Sequence, residues 1–293
     1  MTYRLYIMDR AYSSWSLRGF LALEAFGLPF QVTHAHWSSP EWDALKAEIA
    51  PGRTVPALKT SDGVLLWDSL AIVETLVEEN PDAGLLPKDA AARAAARSIT
   101  AEMHGGFSAL RSECPMNLRR QYLNFEASDA VVADIARIEE LWSWARTFAE
   151  DGPFLFGAYS AADVFYTPIA SRLATYGLTV SDEAAAYIDA VHRVPAFRRW
   201  RAMANATPRL NPDYEFDFEL KDGIGPGAEP LPARSVEGVQ SINANCPYSG
   251  KPVAENSLAE IDGVVIGYCN QFCRDKSVAD AEAWPATVEL LRG

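Results

Sequence analysis

Tyr12-Ser13-Ser14-Trp15-Ser16 puts three hydroxyls in one short turn, between an alternating stretch (Tyr3, Leu5, Ile7) and a helical one (Leu17, Phe20, Leu21, Glu24). Hydroxyls at a helix entrance can hold an anion, because free N–H groups and the helix dipole favour negative charge there. A thiolate is the obvious candidate. Lowering a thiol pKa of about 8.5 by two units takes about 2.7 kcal/mol. One hydroxyl hydrogen bond to a charged group contributes about 1.5–3 kcal/mol and a helix end about 0.3–1 kcal/mol. The two together suffice without a general base. No cysteine precedes Cys114, so thiol–disulfide exchange through a protein sulfur is unavailable at this turn. The sulfur would arrive with a ligand. Read alone, the serines could equally cap the helix.

Two further segments carry polar chemistry. In Thr54-Val55-Pro56-Ala57-Leu58 a proline opens a strand, and a cis bond before it would turn the backbone of Val55 outward to pair with a peptide-like ligand. In Asp68-Ser69, Ser69 can cap the following helix, whose N-terminus suits a carboxylate, while Asp68 can take an ammonium. His34 and His36 share a strand face that could hold a metal, but no third ligand lies nearby in sequence.

The elements that must position these residues follow from periodicity. A second strand runs from Phe30 to His36, a helix from Glu41 to Ile49, short strands over Val55–Thr60 and Val64–Trp67, and a helix from Ser69 to about Asn80. The order βαβ-α-ββ-α predicts a thioredoxin-like α/β domain over 1–80. Residues 88–206 show long helical patterns broken near Pro115, Ser128, Gly152-Pro153, Gly177 and Pro195, predicting an all-helical domain. Within it Ser160-Ala-Ala-Asp163 reads as a capping box. Residues 207–241 are rich in Pro and Gly and read as a linker, and 242–293 as a small α+β appendage.

Ser-Ser-x-Ser followed by Leu-Arg, then Val-Pro-Ala-Leu, then Asp-Ser-Leu-Ala-Ile, in this order, resemble the N-terminal domain of glutathione transferases. The serine turn resembles the zeta class and related bacterial serine-type enzymes, although Trp15 stands where the zeta pattern has cysteine. The resemblance covers about residues 1–206. It implies glutathione as co-substrate, with Ser13 hydrogen-bonded to its thiolate and Ser14 and Ser16 as alternatives in the same turn. Val55 and Pro56 would hold the cysteinyl backbone, and Asp68 and Ser69 the γ-glutamyl end. Arg53 would face a carboxylate, and Trp15 lies beside the site, by core packing more than by ligand contact. The implied activity is transfer of glutathione's sulfur to a small electrophile, or a related isomerisation or reductive cleavage. A homodimer is implied as well. A second-substrate pocket is expected between the domains, walled by Met103, His104, Phe107 and Arg111 on the first long helix.

The appendage holds Cys246, Cys269 and Cys273, with a hairpin around Asp262-Gly263 between the first and the others. It resembles small treble-clef or YHS-like metal domains, except that Ser249 replaces the second cysteine. Zinc on the three thiolates is therefore weighed against a metal-free copy that packs by its apolar residues, and the latter is favoured. A non-catalytic binding module or a metal-handling protein is the alternative to a transferase.

The whole chain sets outer bounds. Its 293 residues are 49% hydrophobic with a net charge of −13, which argues against nucleic acid as a partner. No stretch approaches the roughly 20 apolar residues of a membrane helix. The N-terminal residues, from Met1, lack a signal-peptide pattern, and with few cysteines the expectation is a cytoplasmic protein.

Overall fold

The computed structural model describes residues 2–221, 223 and 225–293. Met1 and, within the predicted linker, Asp222 and Ile224 lie outside the described residues. The chain opens with β1 (Tyr3–Ile7), α1 (Ser14–Glu24), β2 (Phe30–His34), α2 (Pro40–Glu48), β3 (Ala57–Lys59), β4 (Leu65–Trp67) and α3 (Ser69–Glu79). The strands form one sheet in the order β2-β1-β3-β4, with β1 parallel to β2 and antiparallel to β3. This is the thioredoxin-like arrangement. Leu5 and Ile7 pack under α1 and α3 with Leu17, Leu21, Ile72 and Leu76, so the apolar alternation of β1 and the helical spacing of α1 meet in one core.

That packing brings the chemistry-bearing turns together. A Cβ built on Gly19 would lie 2.8 Å from Cβ of Pro56, so α1 can press against the start of β3 only because residue 19 has no side chain. The Val55–Pro56 peptide is cis, as is Ala50–Pro51.

Helices then follow one another: α4 (Ala90–Gly105), α5 (Ser108–Glu113), α6 (Asp129–Arg146), α7 (Ala161–Thr175), α8 (Asp182–His192) and α9 (Pro195–Asn205). The breaks fall where proline, glycine and N-cap serine occur in the sequence. The Asp163 carboxylate accepts from the Ser160 N–H (2.8 Å) and hydroxyl (2.9 Å), the Leu155 N–H (3.1 Å) and the Tyr187 hydroxyl (3.1 Å). These bonds fix the start of α7, a buried helix whose far end reaches the site.

The described residues between 207 and 232 form an arm that packs back on the helices. Phe216 and Phe218 join Tyr122 in an aromatic cluster, and Leu123 N–H donates to the Glu219 carbonyl at 2.9 Å. The predicted linker needs correcting at its end. Strand β5 (Ala233–Val236) lies inside it and pairs antiparallel with β6 (Leu258–Ile261), which pairs with β7 (Val264–Gly267). Proline and glycine on either side conceal β5 in the sequence, and its stability comes from pairing with a strand more than twenty residues away. Helices α10 (Gln271–Ala279) and α11 (Pro285–Arg292) complete the chain. Asp280 ties this unit to α9, its carboxylate pairing with Arg198 (2.6 Å) and Arg201 (3.1 Å). The Arg201 and Asp280 side chains are fully buried.

Candidate active site

A cleft of about 1100 Å³ opens between the sheet domain, the helices and the arm. Ser13 and Ser14 line it; Ser16 does not. Ser13 is the N-cap of α1, accepting from Ser16 N–H at 3.3 Å. Ser16 is fully buried, and its hydroxyl accepts from Met8 N–H (3.1 Å) and sits 2.8 Å from the Ser13 hydroxyl. Ser16 is therefore removed from direct ligand contact, because it faces the core where α1 leaves the sheet. The Ser14 hydroxyl accepts from Nη2 of Arg172 at 3.3 Å.

Arg53, Val55, Pro56, Asp68 and Ser69 border the same cleft. The assignment of the α3 cap is reversed from the sequence reading. Asp68, at φ 76°, caps the helix by accepting from Leu70 N–H (2.8 Å) and Ala71 N–H (3.4 Å), and its other oxygen pairs with Nε2 of His104 (3.1 Å). Ser69 is buried, and its hydroxyl has no partner. Asp68 is thus already engaged, and Ser69 is the group left with bonding capacity at the helix entrance. Burial lowers the pKa of His104, with Asp68 pulling the other way.

The expected pocket wall on α4 is only partly there. Met103 is fully buried and Phe107 nearly so, both packed in the main core, and neither lines the cleft. The first long helix stops at Gly105, so Met103 lies on α4 while Phe107, at φ 57°, caps α5 beyond it, and both belong to the core in which α4 packs on α7. His104 reaches the site only through Asp68 and an edge contact with Trp15 (5.3 Å between centroids). Arg111 does line it.

Trp15 borders the cleft and stands between two guanidinium groups, Arg18 at 4.4 Å and Arg111 at 4.7 Å from its ring centre. Arg111 and Arg172 line the cleft as a cationic floor, with Arg18 buried close to them. Arg111 donates to the carbonyls of His104 and Gly106, each at 3.3 Å, and Arg172 to the Pro168 carbonyl (3.1 Å) and to Ser14. Nε and Nη1 of Arg18 and Nε of Arg172 have no partner. Among the described residues no carboxylate pairs with any of the three. Burial, then their mutual repulsion, holds Arg18 well below its ordinary pKa, and burial brings Arg172 down to about 10. The sequence offered one unread signal for Arg172, the single basic residue in the buried helix α7.

The opposite wall comes from the arm: Asn211, Asp213, Tyr214 and Phe216. Glu215 anchors it, accepting from the Tyr12 hydroxyl (2.7 Å), Nε of Arg120 (2.7 Å) and Nδ2 of Asn117 (3.2 Å). Nothing in a Pro- and Gly-rich stretch announces this role.

Two groups of metal-type ligands lie outside the serine turn. The structure supplies the third ligand that His34 and His36 lacked, since Asp9 comes within 4.8 Å of both. Its carboxylate is bonded to Nδ1 of His36 and to Trp37 N–H (3.0 Å). Burial and the Arg10 charge hold His34 neutral, down to about 3, and the cluster reads as a tie between β1 and the end of β2. The second group is Cys246, Cys269 and Cys273, also within 4.8 Å of one another.

Residues 12–79 match the family model described as glutathione S-transferase, N-terminal domain. A maleylpyruvate isomerase from Ralstonia is 33% identical over 168 residues, 54% of this chain and 67% of that protein. Human glutathione S-transferase omega-2 is 28% identical over 200 residues, 67% and 74% of the two chains. A probable maleylacetoacetate isomerase of Caenorhabditis elegans is 36% identical over 108 residues; these are 37% of this chain, which spans about half (49%) of that relative. Among solved structures, a glutathione transferase homologue from Burkholderia with bound glutathione superposes with TM-score 0.51 at 24% identity, over 70% of this chain and 98% of that one. An omega 2S glutathione transferase from Trametes versicolor gives 0.52 at 20%, over 68% and 93%. At these identities the likeness is one of fold. Among the described residues no helix is long and apolar enough to cross a membrane.

Proposed function

Because the chain belongs to the glutathione transferase family, we propose that it binds glutathione in the cleft and uses the bound thiolate to attack a small electrophile that itself carries a carboxylate. One observation carries this reading: Ser13, Ser14, Val55 and Ser69, whose buried hydroxyl has no partner, border one cleft whose floor is cationic. The Ser13 hydroxyl stabilises the sulfur anion at the entrance of α1, and its contact with Ser16 lets the two hydroxyl hydrogens rotate toward the incoming charge. Val55 offers backbone groups to the cysteinyl unit, and Ser69 with the N-terminus of α3 receives the γ-glutamyl carboxylate. The reading includes a cytoplasmic homodimer.

The electrophile's chemistry follows from the arginines. Arg111 and Arg172 face the cleft without a carboxylate partner, and an anionic substrate supplies one. Relatives named maleylpyruvate and maleylacetoacetate isomerases act on such compounds by name. For a cis-enoyl acid the thiolate adds to the conjugated double bond, the carbon–carbon bond rotates, and the thiolate leaves again. Glutathione is regenerated and nothing is oxidised or reduced.

The test compares glutathione-dependent isomerisation of maleylpyruvate with conjugation of a neutral aryl halide, beside direct calorimetry with glutathione. Turnover of the acid at the higher kcat/KM supports the reading. Faster turnover of the neutral compound removes the anionic substrate, and absence of glutathione binding removes the whole proposal in favour of a non-catalytic scaffold.

A further inference from the structure

The C-terminal unit directs three sulfurs and their surroundings at one point. Cys246 stands in the turn ahead of β6, Cys269 just past β7, and Cys273 in the first turn of α10. Ligand sulfurs around a tetrahedral ion at about 2.3 Å are about 3.8 Å apart, so three Sγ atoms within 4.8 Å of one another already span one coordination face. Cys246 is buried, and the other two are half-buried beside it.

The polar groups around the sulfurs suit thiolates. The Ser249 hydroxyl and Nδ2 of Asn270 donate to Cys269 Sγ at 3.2 and 3.3 Å. Lys276 is held over the rings of Tyr248 (3.8 Å) and Trp284 (3.7 Å), and its charge acts on all three sulfurs. Three thiolates and one ammonium sum to −2, the charge a divalent cation neutralises. Apolar packing explains the burial of Cys246, but neither the donors aimed at sulfur nor the ammonium.

We propose that Cys246, Cys269 and Cys273 hold one thiophilic divalent cation, zinc by ligand preference, with its fourth position open beside Ser249. A closed structural site has four protein ligands; this one has three, and water or the Ser249 hydroxyl takes the last place. The ion is therefore exchangeable.

The full chain, stripped with a chelator, is titrated with Co²⁺ and then with Zn²⁺. Saturation at a single equivalent is expected, with thiolate-to-cobalt charge-transfer absorption that zinc abolishes. Cys269→Ser and Cys273→Ser should lose the absorption, and Cys114→Ser should keep it. Because loss of folding would also remove the absorption, Ser249→Cys provides a gain: it should tighten binding by roughly tenfold or more by closing the ligand set. No saturable absorption in the wild-type chain, absorption that survives Cys269→Ser, unchanged affinity in Ser249→Cys, or a disulfide between two of the three cysteines would each overturn the proposal.

Discussion

Ser13 and Ser14 share one turn but have different partners, and mutagenesis can tell them apart. Ser13→Ala is expected to lose roughly 10²–10³ in kcat, the scale of removing one oxyanion donor. Ser14→Ala should cost less, since its hydroxyl answers to Arg172; the reverse order, read from steady-state kinetics, would transfer the role to Ser14. Arg111→Gln should raise KM for a carboxylate-bearing electrophile about tenfold or more, on the scale of one charged hydrogen bond, and leave KM for a neutral electrophile unchanged. Equal effects on both would show that Arg111 serves only to hold Trp15. At this scale the sequence was legible as residue types. Three serines in one turn raised the expectation of an anion site, but which of them looks into the core depends on how α1 leaves the sheet, and that is a tertiary fact. The same holds for Asp68 and Ser69, both able to cap, where the backbone at Asp68 decided in favour of the carboxylate.

Helices and strands were legible where their pattern was long. The boundaries of α3, α7 and α9 lie close to those read from caps, proline and glycine, since these residues act on the backbone they belong to. The partner of a helix face is not local. Met103 and Phe107 read as one face of a single helix, but the chain breaks at Gly105-Gly106 and both side chains are taken up by the core that α7 shares. At the C-terminal end of α8, His192 is buried, its ring stacked on Phe197 at 4.9 Å. Burial, then the Arg201 charge, brings its pKa down to about 3. Its folded pKa lies below the unfolded value, so the stability from keeping it neutral is complete above about pH 6.5 and is lost as pH falls toward 3. Urea unfolding at pH 7 and pH 5 is expected to show His192→Gln losing less stability on acidification than the wild-type chain. The difference should approach 1.4 kcal/mol per pH unit below 6.5. Parallel pH profiles would mean that the buried ring takes up no proton on unfolding.

The whole molecule is held together across long sequence distances. Asp280 meets Arg198 and Arg201 from a different part of the chain, and removing one member of such a buried group leaves uncompensated charge. Asp280→Asn is expected to destabilise by about 3–5 kcal/mol, seen as a separate early transition in thermal unfolding as the C-terminal unit releases α9. A single transition at the wild-type temperature would show that the ion pairs are dispensable. The fold of residues 1–206 could be read from periodicity and three motifs, but the place of the arm could not. Its proline and glycine content signals lack of regular structure, whereas its place is fixed by Glu215 meeting Tyr12 and Arg120. That placement has a consequence for biosynthesis. The serines leave the ribosome some two hundred residues ahead of Tyr214 and Phe216, which emerge only after α1 to α9. A nascent protein would thus possess the serine turn long before the arm that walls the cleft.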